Sequence, residues 1–238
     1  NSNGLYSHAE GNATITLGTG SHAEGANTIT SGSYSHAEGR GSTTSGSADW
    51  SHAEGFGTLT AEKYAHAEGS RTLASGIGAH SEGSETSASG YASHAEGSSS
   101  LASGNASHAE GKGTARADFS HAEGQGSTFT TAEYSHAEGR GYASGSYSHA
   151  EGFGIASGYA SHAEGGSFTI ASGSFSHAEG QSTIARGLYS HTEGNSTQTL
   201  SEGRGAHAEG NQSEARALYS HAEGDQTTTE GTASHAEG

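Results

Sequence analysis

The sequence predicts an all-β fold: a parallel β-solenoid with coils of ~14 residues and two short strands in each coil. Three observations predict it. The phrase S-H-A-E-G recurs, with minor changes, 17 times along 238 residues. Its histidines are spaced 13 to 16 residues apart, most often 14. Small residues alternate with larger ones inside the phrase, as on the two faces of a strand.

A full unit reads S-H-A-E-G-x-x-T-x-A-S-G-x-Y, and "AHAEGSRTLASG" (65–76) shows both halves. The first strand is expected over "YSHAEG" and the second over "TLASG". Between the motif glycine and the next apolar residue lie two residues in "GFGIASG", three in "GSRTLASG" and four in "GGSFTIASG". Turns tolerate such insertions and strands do not, so this segment is the first turn. The stretch "SGSADWS" (45–51) lengthens the second turn and is read as the exception. Fourteen residues are too few for a βαβ unit, which needs ~30. One repeat domain, 1–238, is expected.

Composition alone points elsewhere. Leu, Ile and Phe total 20 residues and Val is absent, too few for an ordinary globular core. A solenoid escapes this limit because each coil is stabilised by its neighbours along a thin interior. There is no cysteine, so disulfides are excluded, and no apolar run approaches the ~18 residues of a membrane span. The opening "NSNGLYSHAEG" already carries the motif, so no signal segment is expected in it. The formal charge of −17 equals one motif glutamate per repeat, since the nine other acidic residues match nine Lys plus Arg. No basic patch is present, which argues against nucleic acid as a partner.

Strand alternation puts the aromatic residue, His and Glu of "YSHAEG" on one face, and Ser, Ala and Gly on the other. The small face is expected inside the coil. A second column is expected from Ile15, Ile29, Leu59, Leu73, Leu101, Phe129, Ile155, Ile170, Ile184 and Leu200. The outward ladder consists of His8 and Glu10, His22 and Glu24, His36 and Glu38, His52 and Glu54, His66 and Glu68, His80 and Glu82, His94 and Glu96, His108 and Glu110, His121 and Glu123, His136 and Glu138, His149 and Glu151, His162 and Glu164, His177 and Glu179, His191 and Glu193, His207 and Glu209, His221 and Glu223, and His235 and Glu237. Like charges stacked at ~4.8 Å repel by about 0.9 kcal/mol per adjacent pair even in water. A histidine beside each glutamate relieves this, either as a neutral donor or as a cation. The ladder is therefore expected to be structural, at an interface between copies of the chain.

Other chemistry is weighed and set aside. One H-A-E phrase offers two metal donors on a strand face, short of the four that zinc takes, and H-E-x-x-H is absent. No metal and no cofactor is expected. Ser and His adjacent on a strand face opposite ways, so they form no catalytic dyad, and no enzyme activity is expected. Only three Asp occur, which disfavours calcium, and the sequons at Asn12, Asn105, Asn195 and Asn211 are common by chance in such repeats. Threonine runs such as "TIT" (14–16, 28–30) and "TLT" (58–60) fit a flat ice-binding array, a less favoured reading.

The S-x-A-x-G core, the "ASG" half and the ~14-residue period resemble the YadA-like head repeats of trimeric autotransporter adhesins, and also repeats of phage tail fibres. The resemblance covers essentially the whole chain. It implies a left-handed β-roll in which three identical chains wind about one axis, and attachment to host matrix or cell surfaces. His and Glu stand here where that family commonly carries an apolar pair. The expected protein is an extracellular, cell-surface or virion fibre, structural or adhesive, with a homotrimer favoured. An end-to-end polymer or matrix scaffold without receptor binding is the alternative. Any host ligand is expected to meet the variable turns, at residues such as Arg40, Phe56, Arg71, Lys112 and Arg140.

Overall fold

The computed structural model describes all residues, Asn1–Gly238, and contains 33 strands and no helix. It is the parallel β-solenoid that the repeat predicts. Within each compact unit the strands pair in parallel with the equivalent strands of neighbouring coils, as in His22↔His36 with Ala23↔Ala37, and Ile29↔Thr43 with Thr30↔Thr44. The chain forms two compact units, Asn1–Phe119 and Ser120–Gly238. In the first, motif strands run from His8–Asn12 to His108–Ala109, and short strands from Ile15–Thr16 to Thr114–Ala115. In the second, they run from His121–Ala122 to His235–Glu237 and from Ser127–Thr128 to Thr228–Thr229.

The strands are shorter than the sequence suggests. The motif strand begins at His, not at the aromatic residue, and the second strand is two residues long. The aromatic residue lies in the turn before it, with left-handed backbone: Tyr34, Trp50 and Tyr64 have φ of 55°, 55° and 60°. That conformation ordinarily favours glycine. Stacking along the coils offsets part of its cost: the rings of Trp50 and Tyr64 lie 5.5 Å apart, and those of Tyr134 and Tyr147 5.0 Å apart. The motif glycine also differs from expectation. Gly25, at φ 105°, is exposed and turns the chain rather than facing inward.

The interior holds only small side chains. Every buried hydrophobic residue is alanine, and the largest fully buried side chains are threonines. Each coil therefore buries little apolar surface, and the backbone ladder between coils carries much of the cohesion. Ser, Ala and the two threonine-type positions point inward, while His, Glu and the Ile/Leu position point outward. Thr16, Thr30, Thr44 and Thr60 are 0% exposed, so the flanking threonines of "TIT" and "TLT" line the interior and present no array to ice.

Buried hydroxyls are paired with one another and with the turn. Ser190 Oγ donates to the Gly187 carbonyl at 2.7 Å and accepts from Thr199 Oγ1 at 2.9 Å. The same serine-to-glycine bond recurs at Ser35, Ser93, Ser148 and Ser176, which explains the serine that precedes most motif histidines. Ser190→Ala is expected to lower stability by about 1–2 kcal/mol, because the Thr199 hydroxyl loses its acceptor in a buried place. The urea midpoint of the variant measures this.

Two expected members of the outward column fall elsewhere. Phe129 follows the strand Ser127–Thr128, and Leu200 follows Gln198–Thr199, so Ser127 and Gln198 occupy the column. The cause is a second turn lengthened by two residues after Thr43, Ser127 and Gln198, in three coils rather than one.

The histidine and glutamate face

All 17 motif histidines open a strand, and the in-register pairing stacks each upon its equivalent within a unit. His22 and His36 lie 4.8 Å apart with parallel rings, His66 and His80 4.7 Å, and His162 and His177 4.7 Å. Glutamates follow the same register, as in Glu54↔Glu68 and Glu209↔Glu223. The ladder thus exists within one chain, on its outer face. Its side chains are about a third exposed, for example 36% and 37% at His66 and Glu68.

The expected mutual satisfaction of His and Glu is incomplete. At His8 and Glu10 the contact has hydrogen-bond geometry, at 3.4 Å. Elsewhere Nε2 stands at ion-pair range from the carboxylate: 3.8 Å at His36–Glu38, 3.5 Å at His52–Glu54 and 3.7 Å at His80–Glu82. Some contacts cross to the neighbouring coil, as His94 to Glu82 at 4.0 Å and His235 to Glu223 at 3.7 Å. The Nε2 atoms of His36, His52, His66 and His80 are enclosed and make no hydrogen bond.

No family model and no curated protein matches the chain.

Stacking changes how both columns hold protons. Burial, followed by repulsion from adjacent imidazoles, pulls His80, His94, His136, His162, His177, His191 and His207 below the ordinary histidine range. These imidazoles are neutral at pH 7, so they do not supply the positive charge that would cancel the carboxylates. Among the glutamates, a hydrogen bond to Glu96, aided by burial, pushes Glu82 up to about 7. The same bond pulls Glu96 down. Below about pH 7 the pair holds one proton between two stacked carboxyls, a second relief from like-charge repulsion. A single sequence does not reveal it, because the two carboxyls lie in different repeats.

Stacking also gathers donors that one motif lacks. One nitrogen each from His36 and His52 and an oxygen of Glu38 lie within 4.8 Å of one another, and the same holds for His52, Glu54 and His66 and for His66, Glu68 and His80. Counting donors within one strand misses the third, which comes from the next coil.

The variable turns are laced together along the stack. The Arg40 guanidinium lies 5.8 Å from the Phe56 ring centre, Arg140 lies 5.5 Å from that of Phe153, and Arg71 pairs with Glu85 at 3.1 Å. An open groove of about 320 Å³ is lined by Gln125, Arg140, Tyr142, Phe153 and Ile155.

Proposed function

We propose that the chain is a segment of an extracellular structural or adhesive fibre that self-associates through its histidine and glutamate face, with three copies favoured. One observation carries the reading. Within each unit the face repeats identical polar columns from coil to coil, with about a third of each histidine and glutamate side chain left exposed to meet a partner. A second copy brings donors and acceptors at the same spacing, so each rung can satisfy the rung it meets. A face this uniform distinguishes no single catalytic position, which favours a structural role. The resemblance to trimeric adhesin heads supports the number of copies and the extracellular setting. Attachment to a matrix or cell surface falls to the turns that carry Arg40, Phe56 and Arg140, where arginine and aromatic side chains stand together.

Sedimentation equilibrium in a metal chelator tests the association. The expected mass is three times the 23.7 kDa of the chain. His66→Asp, His80→Asp and His94→Asp together are expected to return the mass to one chain while the β-sheet circular dichroism persists, because added carboxylates oppose their counterparts across the contact. A wild-type chain that sediments as a single copy at about 100 μM, well above the Kd of a stable assembly, would overturn the proposal.

A further inference from the structure

The geometry points to a metal site in the same face: we propose that pairs of adjacent coils hold a divalent transition-metal ion between two imidazole Nε2 atoms and the glutamate beside them. The clearest donor sets are His36, Glu38 and His52, and His66, Glu68 and His80, each within 4.8 Å. Two features make these more than polar neighbours. The Nε2 atoms of His36, His52, His66 and His80 are closed off from solvent and make no hydrogen bond, so no protein hydrogen bond has to be broken for them to coordinate. Each of the two coils contributes one imidazole, so an ion would also clamp one coil to the next.

The donor set selects the metal. Two imidazole nitrogens and one carboxylate oxygen suit Zn²⁺, Cu²⁺ or Ni²⁺, whereas Ca²⁺ and Mg²⁺ take oxygen. Bonds of about 2.0–2.2 Å in a tetrahedral arrangement place donors roughly 3.3 Å apart, so stacked rings must lean together. Rotation about the Cβ–Cγ bond supplies that lean without disturbing the ladder. The 60° tilt between the His8 and His22 rings shows that a ring can turn while its strand stays in register. Water approaching from the exposed side of the glutamate, which is 37% accessible at Glu68, completes the coordination. This arrangement uses one chain and does not depend on self-association.

The arrangement fixes a stoichiometry. Each Nε2 has one lone pair and serves one ion, so an ion consumes two histidines, and the 17 histidines accommodate about eight ions. Independent capture by single imidazoles would give about twice that number.

Equilibrium dialysis of the full chain against Zn²⁺ at about pH 7.5, with elemental analysis, tests this, and Ca²⁺ is the control. About eight Zn²⁺ and no Ca²⁺ per chain are expected. A variant with every second histidine replaced in each unit (His22→Gln, His52→Gln, His80→Gln, His108→Gln, His136→Gln, His162→Gln, His191→Gln and His221→Gln) has no adjacent pair left. Its capacity is expected to fall at least about eightfold, whereas independent imidazoles would lose about half. A loss of only half overturns the proposal. So does a wild-type chain that takes up no Zn²⁺, one Zn²⁺ per histidine, or Ca²⁺ as readily as Zn²⁺, whether or not the variant folds.

Discussion

Gly69→Ala is expected to destabilise the coils around it by about 3 kcal/mol or more, whereas Gly78→Ala, nine residues on, costs only about 1–2 kcal/mol. Both glycines have left-handed backbone, at φ 104° and 67°. Gly78 lies at the turn position that other coils fill with Tyr34, Tyr64 or Ala92, and a Cβ there meets nothing within 4 Å. At Gly69 two penalties combine. The φ of 104° lies outside the small left-handed well that alanine can enter. An added Cβ would also run into the carbonyl oxygen of Gly83 in the next coil. That oxygen belongs to the ladder of strand His66–Ser70 with His80–Ser84, so it cannot move aside without breaking the pairing. Coils are stabilised by their neighbours, so a defect at one rung also weakens those beside it. Urea unfolding and hydrogen exchange across residues 55–97 measure the difference. Equal effects of the two substitutions would show that the close approach at Gly69 has no energetic weight.

The same contrast explains how far the sequence could be read. Repetition made the fold class legible, because a coil of fixed length must place like residues upon like residues. Part of the inward set was legible for the same reason: Ser21 and Ala23 fit an interior too narrow for anything larger, whereas Gly25, expected beside them, is exposed, and the buried Thr30 was not foreseen. Other features depend on backbone conformation, which alternation does not encode. Tyr34 follows a strand pattern on paper, yet its φ of 55° puts it in a turn. Phe129 and Leu200 looked like members of the apolar column because the insertion could be placed on either side of the short strand. The ladder itself was legible residue by residue. Its electrostatics were not, since enclosure of Nε2 and the proton shared by Glu82 and Glu96 arise between coils and not within one. The metal donor set was hidden in the same way.

The largest response to conditions is expected on mild acidification: the thermal midpoint falls steeply from about pH 7 to about pH 5, before ordinary carboxylates titrate. Seven histidines, among them His80, His162 and His207, have folded pKa values below the ordinary 6.5, chiefly through burial. In the unfolded chain they take up protons at the ordinary value. Between the two values the unfolded state binds more protons, so their contribution is fully present above 6.5 and is lost as pH falls through the folded values. Glu82 has the opposite sign. Its folded value of about 7 exceeds the ordinary 4.5, so its contribution is present below 4.5 and is lost as pH rises toward 7. Glu96 is lowered and again favours the higher pH. Seven histidines against one raised carboxyl decide the direction. Once charged, imidazolium rings spaced as His162 and His177 are, 4.7 Å apart, repel by about 0.9 kcal/mol per pair in water, and most rings have a neighbour on each side. The Debye length at 1 M salt is ~3 Å, shorter than that spacing, so salt is expected to soften the loss without abolishing it, because the burial penalty remains. Gln in place of the seven histidines is expected to flatten the profile between about pH 5 and 7. A wild-type melt that stays constant over that interval would mean that the stacked rings accept protons as freely as histidines in water, contrary to their burial.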